Sequence, residues 1–138
     1  MVDKEWGAKY LYTITEESIS IDAILEHTDG EIISSRHLIN SLKYSLIVIS
    51  EAMANTLQHL LAKKHSVAVK GYTDAFAKAE EWEILTNDLS KRLKPFISFR
   101  NMLVHQYWMV DDRLFIENVR KGYGDFKHFI AAIQKKIN

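Results

Sequence analysis

The chain has 138 residues, 47% of them apolar, with 18 basic and 18 acidic side chains and no cysteine. That length fits one ordinary domain, residues 1–138, with too much apolar content for disorder and no net field to draw in nucleic acid. Disulfides and thiolate metal sites are excluded, and the absence of an 18-residue apolar run or a signal-peptide pattern predicts a cytoplasmic protein without membrane contact.

One proline and five glycines favour long helices over a many-stranded sheet. Trp6, Tyr10 and Ile14 fall four apart, a helical spacing, and Ile21 and Leu25 continue that stripe. Thr13 with Glu16 reads as a capping box at which the helix restarts, and Asp29-Gly30 is the first clear break. From Ser34 or Ser35 to about Lys64, Ile39, Leu42, Leu46, Ile49, Met53, Leu57 and Leu60 recur at spacings of three and four. This predicts a central helix of roughly 30 residues, about 45 Å long. Glu51 on this helix could serve a buried arginine, but a solvated glutamate is the plainer expectation.

Residues 65–71 read as a loop; Ser66–Val69 has the makings of a strand but no partner. Thr73 can cap a short helix carrying Tyr72, Phe76, Ala79 and Trp82. Asn87-Asp88 starts the next helix, with Leu89, Leu93 and Phe96 as its stripe and Pro95 inside it, which predicts a kink or a stop at Lys94. Asp111 or Asp112 caps a last helix reaching about Lys136, weakened by Gly122 and Gly124 but with an unbroken stripe phase. The sum is an all-α, antiparallel bundle of four to five helices.

Chemistry concentrates in one stretch, Arg100-Asn101-x-x-x-His105-x-Tyr107. Arg100 falls in the middle of the apolar side shared by Leu89, Leu93, Phe96, Leu103 and Val104, so its charge needs a partner. His105 lies about 140° further round an ideal helix and shares its face with Asn101 instead. A straight helix therefore does not join Arg100 to His105 without help from a kink, the length of the arginine, or a second copy. Tyr107 turns with His105 only if the helix has ended. An imidazole that moves protons near neutral pH and a guanidinium that grips non-bridging oxygens suit RNA cleavage by attack of the 2′-hydroxyl on phosphorus. DNA lacks that hydroxyl. A lone Arg-x4-His pair is nevertheless more often a structural arginine beside an interfacial histidine.

The stretch FRNMLVHQYWMVDDRLFIENV resembles the HEPN-domain toxins of the HepT type, whose signature is Arg-Asn-x-x-x-His-x-Tyr with a preceding Phe and a following Val-Asp. Phe99, Arg100, Asn101, His105, Tyr107, Val110 and Asp111 fill every position, and GYTDAFAKAEEWEI and DFKHFIAAIQKKI look similar too, so the resemblance covers roughly residues 34–137. It implies a homodimeric HEPN bundle whose paired motifs form a metal-independent endoribonuclease without a cofactor, with Arg100, His105 and Asn101 catalytic. Asn101 would orient the histidine or the phosphate. It also implies a toxin whose partner is a minimal nucleotidyltransferase (MNT) antitoxin that adds AMP to Tyr107. The departure is Pro95, whose kink would displace Arg100.

Lys91, Arg92 and Lys94 before the motif, with Arg113, Arg120 and Lys121 after it, are candidates for an RNA-binding patch, although exterior charges are usually only solvated. Trp108 and Tyr107 have the chemistry to stack on a base, but Trp108 is better read as core or interface. His27, His37, His59, His65 and His128 show no metal-ligand spacing and read as surface residues, so no metal is expected. The alternative function is a non-catalytic substrate- or nucleotide-binding subunit of a nucleotidyltransferase, for which a complete Arg/His/Tyr set would be unneeded.

Overall fold

Ser35 accepts a hydrogen bond from the Leu38 backbone N–H at 3.2 Å, and the helix it caps runs unbroken to His65. Around it, a computed structural model describing residues 4–137 shows only helices: α1 (Lys4–Ile24), α2 (Asp29–Ser34), α3 (Arg36–His65), α4 (Tyr72–Glu81), α5 (Asn87–His105), α6 (Asp112–Gly122) and α7 (Asp125–Ile137), with a 3₁₀ turn at Tyr107–Met109. The long helix is central, as its apolar pattern requires. α1, α2, α4 and α5 all pack against α3, while α6 and α7 close over α5. Leu42, Leu46, Ile49, Met53, Leu57 and Leu60 are fully buried along it, and each such side chain contributes about 1.5–3 kcal/mol of transfer free energy. Phe96 meets Phe126 at 4.9 Å between centroids and Phe99 meets Phe115 at 5.3 Å edge-on, fixing α6 and α7 on α5.

Several expectations are corrected. Thr13 is not a cap: α1 passes through it, and its hydroxyl donates back to the Lys9 carbonyl. The capping box lies at Thr28 and Glu31, where the threonine accepts from the Glu31 N–H at 3.1 Å and Glu31 accepts from the Thr28 N–H at 2.8 Å. Asp29-Gly30 is therefore the first turn of the short helix α2 rather than a plain break. Thr73 does not cap α4 either; the helix begins one residue earlier, after Gly71. The expected last helix is two helices, broken at Tyr123-Gly124. Gly122 brings the end of α6 against the Phe96 ring so closely that a Cβ would stand 2.9 Å from it. The bundle thus has seven helices among the described residues, more than the four to five expected. Trp6's place on the α1 stripe lies outside the described side chains.

α5 does not stop at Lys94. It continues through Pro95, and Lys91, whose carbonyl the proline cannot bond, is exposed to water. Its start is held firmly: Thr86 caps Leu89 N–H at 3.1 Å, and Glu80 accepts from both Asn87 and Ser90. Residues 66–70 form a loop without a strand, and no helix among the described residues is long and apolar enough to cross a membrane.

The candidate active site

The apolar pattern of α5 carries Arg100 inward, where only 14% of its side chain remains exposed, and the bundle supplies what its charge needs. Nη2 donates to Glu51 Oε1 on α3 at 2.8 Å, and Nη1 donates to Asn101 Oδ1 at 3.0 Å. The guanidinium carbon sits 4.2 Å from the centre of the Tyr72 ring at the start of α4. Glu51 thus serves the buried arginine and is solvated as well, with 48% of its side chain exposed. Asn101 Nδ2 in turn donates to Thr73 Oγ1 at 3.1 Å. Asn101 therefore holds the arginine rather than His105. α3, α4 and α5 each contribute to this cluster.

Burial pushes the Tyr72 phenol up to about 12, against smaller opposing effects of the Ser50 hydroxyl and the Arg100 charge. The two hydroxyls are neighbours but do not meet in good geometry: Tyr72 Oη, Ser50 Oγ and Arg100 Nε are all buried without a hydrogen-bond partner. Periodicity gave no sign of Tyr72, Thr73 or Ser50 as neighbours of the motif. The one available signal was that an arginine on an apolar stripe requires company.

The other end of the motif is open. α5 ends at His105, and Gln106 N–H closes the last turn on the Met102 carbonyl at 2.7 Å. The chain then makes a single 3₁₀ turn before Asp111 caps α6 through the Leu114 N–H. Tyr107 therefore lies beyond the helix, the condition on which it could turn with His105. His105 is exposed, and no hydrogen bond joins its side chain to Arg100 among the described residues. Tyr107, Trp108 and Met109 are 70%, 67% and 62% exposed, with Val104 and Leu114 also open. Trp108 is thus not core. Tyr107 and Trp108 pack edge-on, 5.5 Å apart.

The basic residues do not act as one patch. Lys91 and Lys94 lie on the same exposed side of α5 as Asn101 and His105, by a helical turn of about 100° per residue. Arg92 points elsewhere and faces Asp88 and Asp125. Arg120 is occupied by Asp29 and by the carbonyls of Leu25 and His27, pinning α6 to the α1–α2 corner. His59, expected at the surface, is half-buried in α3, whereas His27, His37, His65 and His128 are exposed.

Comparison with known proteins decides the family. Residues 14–133 match the Ribonuclease HepT-like family. The chain belongs to the HepT-like ribonuclease family. It is 33% identical over 97 residues to the tRNA nuclease HepT of Aphanizomenon flos-aquae, covering 69% of this chain and 59% of that relative. The chain thus spans well under two thirds of the relative's length. The HepT-like fold is also that of a tri-AMPylated Shewanella oneidensis HEPN toxin solved in complex with an MNT antitoxin, with a TM-score of 0.87 at 20% identity over 96% of this chain and 99% of that one. A toxin–antitoxin structure with AMP-PNP superposes with a TM-score of 0.85 at 21% identity, over 95% and 99% of the two chains.

Proposed function

We propose that this HepT-like chain is the toxin of a toxin–antitoxin pair and cleaves RNA by a metal-independent transesterification. The observation that carries the reading is the complete Arg100, Asn101, His105, Tyr107 set at the open end of α5 in a member of this family. His105 takes the 2′-hydroxyl proton or delivers one to the leaving oxygen. Arg100 grips the non-bridging oxygens and stabilises the charge that grows on them. Asn101 keeps the arginine in register, and Lys91 and Lys94 extend the same face along the RNA backbone.

In one protomer the imidazole and guanidinium are not joined. The exposed Val104, Trp108 and Met109 beside them supply an apolar surface on which a second copy seats. Two copies then bring paired motifs to one cleft. The partner in regulation is an MNT antitoxin that transfers AMP from a nucleotide to the Tyr107 phenol, whose exposure suits an acceptor. A bulky anion two residues from His105 blocks the cleft and repels phosphate.

His105→Ala should reduce RNA cleavage by about 10²–10⁴-fold, the usual worth of a general acid–base group. Cleavage of an RNA oligonucleotide by the purified variant at the wild-type rate would remove the assignment.

A further inference from the structure

We propose that Tyr72, outside the motif, is a positioning residue for the phosphate-binding arginine: its ring is the platform that fixes the plane of the Arg100 guanidinium. This rests on reading Arg100 as the phosphate ligand, and it adds a residue that the signature does not contain.

The geometry is specific. The guanidinium carbon stands 4.2 Å from the Tyr72 ring centroid, so the cation is seated over the negative face of the aromatic. Nη2 is held by Glu51 and Nη1 by Asn101, which stops the group spinning over the ring. Nε is buried with no acceptor. These contacts oppose tilting and rotation of the guanidinium, and the N–H bonds left on Nη1 and Nη2 are the ones that can meet a phosphate. A flexible arginine would first have to lose its rotamer freedom. Here that loss has already occurred in the folded chain.

The ring, not the hydroxyl, does this. Tyr72 Oη and Ser50 Oγ are neighbours that do not meet in good hydrogen-bond geometry, and neither has another partner among the described residues. A tyrosine kept for its hydroxyl would normally have that group bonded. The platform's position is set by the chain just before it. Gly71 takes φ 142°, a region closed to other L residues without strain, and the next residue opens α4. Thr73 then accepts from Asn101, so two consecutive side chains of α4 reach two consecutive side chains of the motif.

The test compares steady-state cleavage of a single-stranded RNA oligonucleotide by the full-length wild type, Tyr72→Leu, Tyr72→Phe and, as the activity control, His105→Ala. Tyr72→Leu should lower kcat about 10- to 100-fold, the scale of a small misplacement of a reacting group, with a smaller change in KM. Tyr72→Phe keeps the ring and should rescue most of that loss. Circular dichroism and thermal melts establish that each variant is folded; if Tyr72→Leu is not, Tyr72→Met removes the ring while filling the space. A folded, ring-less variant cleaving at the wild-type rate would overturn the proposal, as would Tyr72→Phe being as impaired as Tyr72→Leu. Wild-type protein with no cleavage that His105→Ala removes is a different result. It would sink the RNA-cleavage reading itself.

Discussion

The two ends of the motif are built on opposite principles. At the Arg100 end, three helices converge on one cation: Glu51 pairs with it, Asn101 holds its edge and Tyr72 lies under its face. At the His105 end, the backbone alone does the placing. The helix stops, a 3₁₀ turn follows, and the side chains from His105 to Met109 stand in solvent. The fold thus fixes the guanidinium from three sides and leaves the imidazole and the phenol open. A buried cation cannot be left unpaired, whereas an imidazole and a phenol at the surface carry no such penalty.

The largest effect that separates the two ends concerns association. The exposed end should be indifferent to mutation in the monomer and decisive in the assembly. Trp108→Glu places a charge in the middle of the apolar surface formed with Val104 and Met109. If a second copy seats there, the substitution should weaken dimerisation by on the order of 2–4 kcal/mol, the loss typical of a central aromatic anchor. Analytical ultracentrifugation would show monomer, and RNA cleavage would fall with it, while the melting temperature of the folded monomer stays near that of the wild type. A Trp108→Glu protein that sediments as the wild type does would place the contact elsewhere.

The buried end makes a prediction about pH. Tyr72 is raised from the ordinary phenol value of 10.0 to about 12 by burial. Between these values the unfolded chain has released the Tyr72 proton and the folded chain has kept it. The unfolded state then binds fewer protons, so stability falls as pH rises. The contribution is fully present below pH 10 and lost by about pH 12. At ~1.4 kcal/mol per unit it amounts to on the order of 2–3 kcal/mol. Lysines and the other tyrosines titrate in the same window, so the measurement is a difference. Urea unfolding of wild type and Tyr72→Phe at pH 9 and pH 11.5 should show a steeper loss in the wild type. Equal slopes would mean that the phenol is better solvated than its surroundings indicate.

The sequence exposed much of this frame, and the failures are as informative as the successes. The α3 stripe, the Ser35 cap and the Asp111 cap follow from rules that act within one or two turns, and such rules are local. α2 was hidden because Asp29-Gly30 looks like a turn on its own. Only the reciprocal bonds of Thr28 and Glu31 make it a helix start. The split of the last helix was hidden because the apolar phase survives Gly122 and Gly124. Gly122 ends α6 where the Phe96 ring comes close to its backbone, a contact that no spacing reports. The same limit applies to the site. The residues of the motif itself are adjacent in sequence and could be named from it. Glu51 is 49 positions from Arg100, and Tyr72 reaches it only because the loop before α4 has the length it has. Helix phase showed that Arg100 needed a partner and offered Glu51 of the central helix as one candidate, but it could not choose that over a solvated glutamate, and it said nothing of Tyr72.

The smallest effect is an asymmetry within the buried end. Glu51 and Arg100 form one ion pair, but the glutamate side chain is 48% exposed and the arginine side chain only 14%. Removing either partner therefore does not leave equivalent remnants. Glu51→Ala leaves a largely buried cation with Asn101 and the Tyr72 face as its remaining support, which should cost roughly 1–2 kcal/mol of folding stability. Arg100→Met leaves a carboxylate that water can reach, and the methionine replaces much of the buried stem, so the cost should stay below about 1 kcal/mol. The double variant should match Arg100→Met alone, because the carboxylate has nothing left to neutralise. His105→Ala, at the open end, should shift stability by no more than about 0.5 kcal/mol. Chemical denaturation of these four variants orders them directly. If Arg100→Met proves more damaging than Glu51→Ala, the arginine is acting as a structural strut of the core, and the proposed grip on an RNA phosphate would be at most a secondary use of a residue the fold needs for itself.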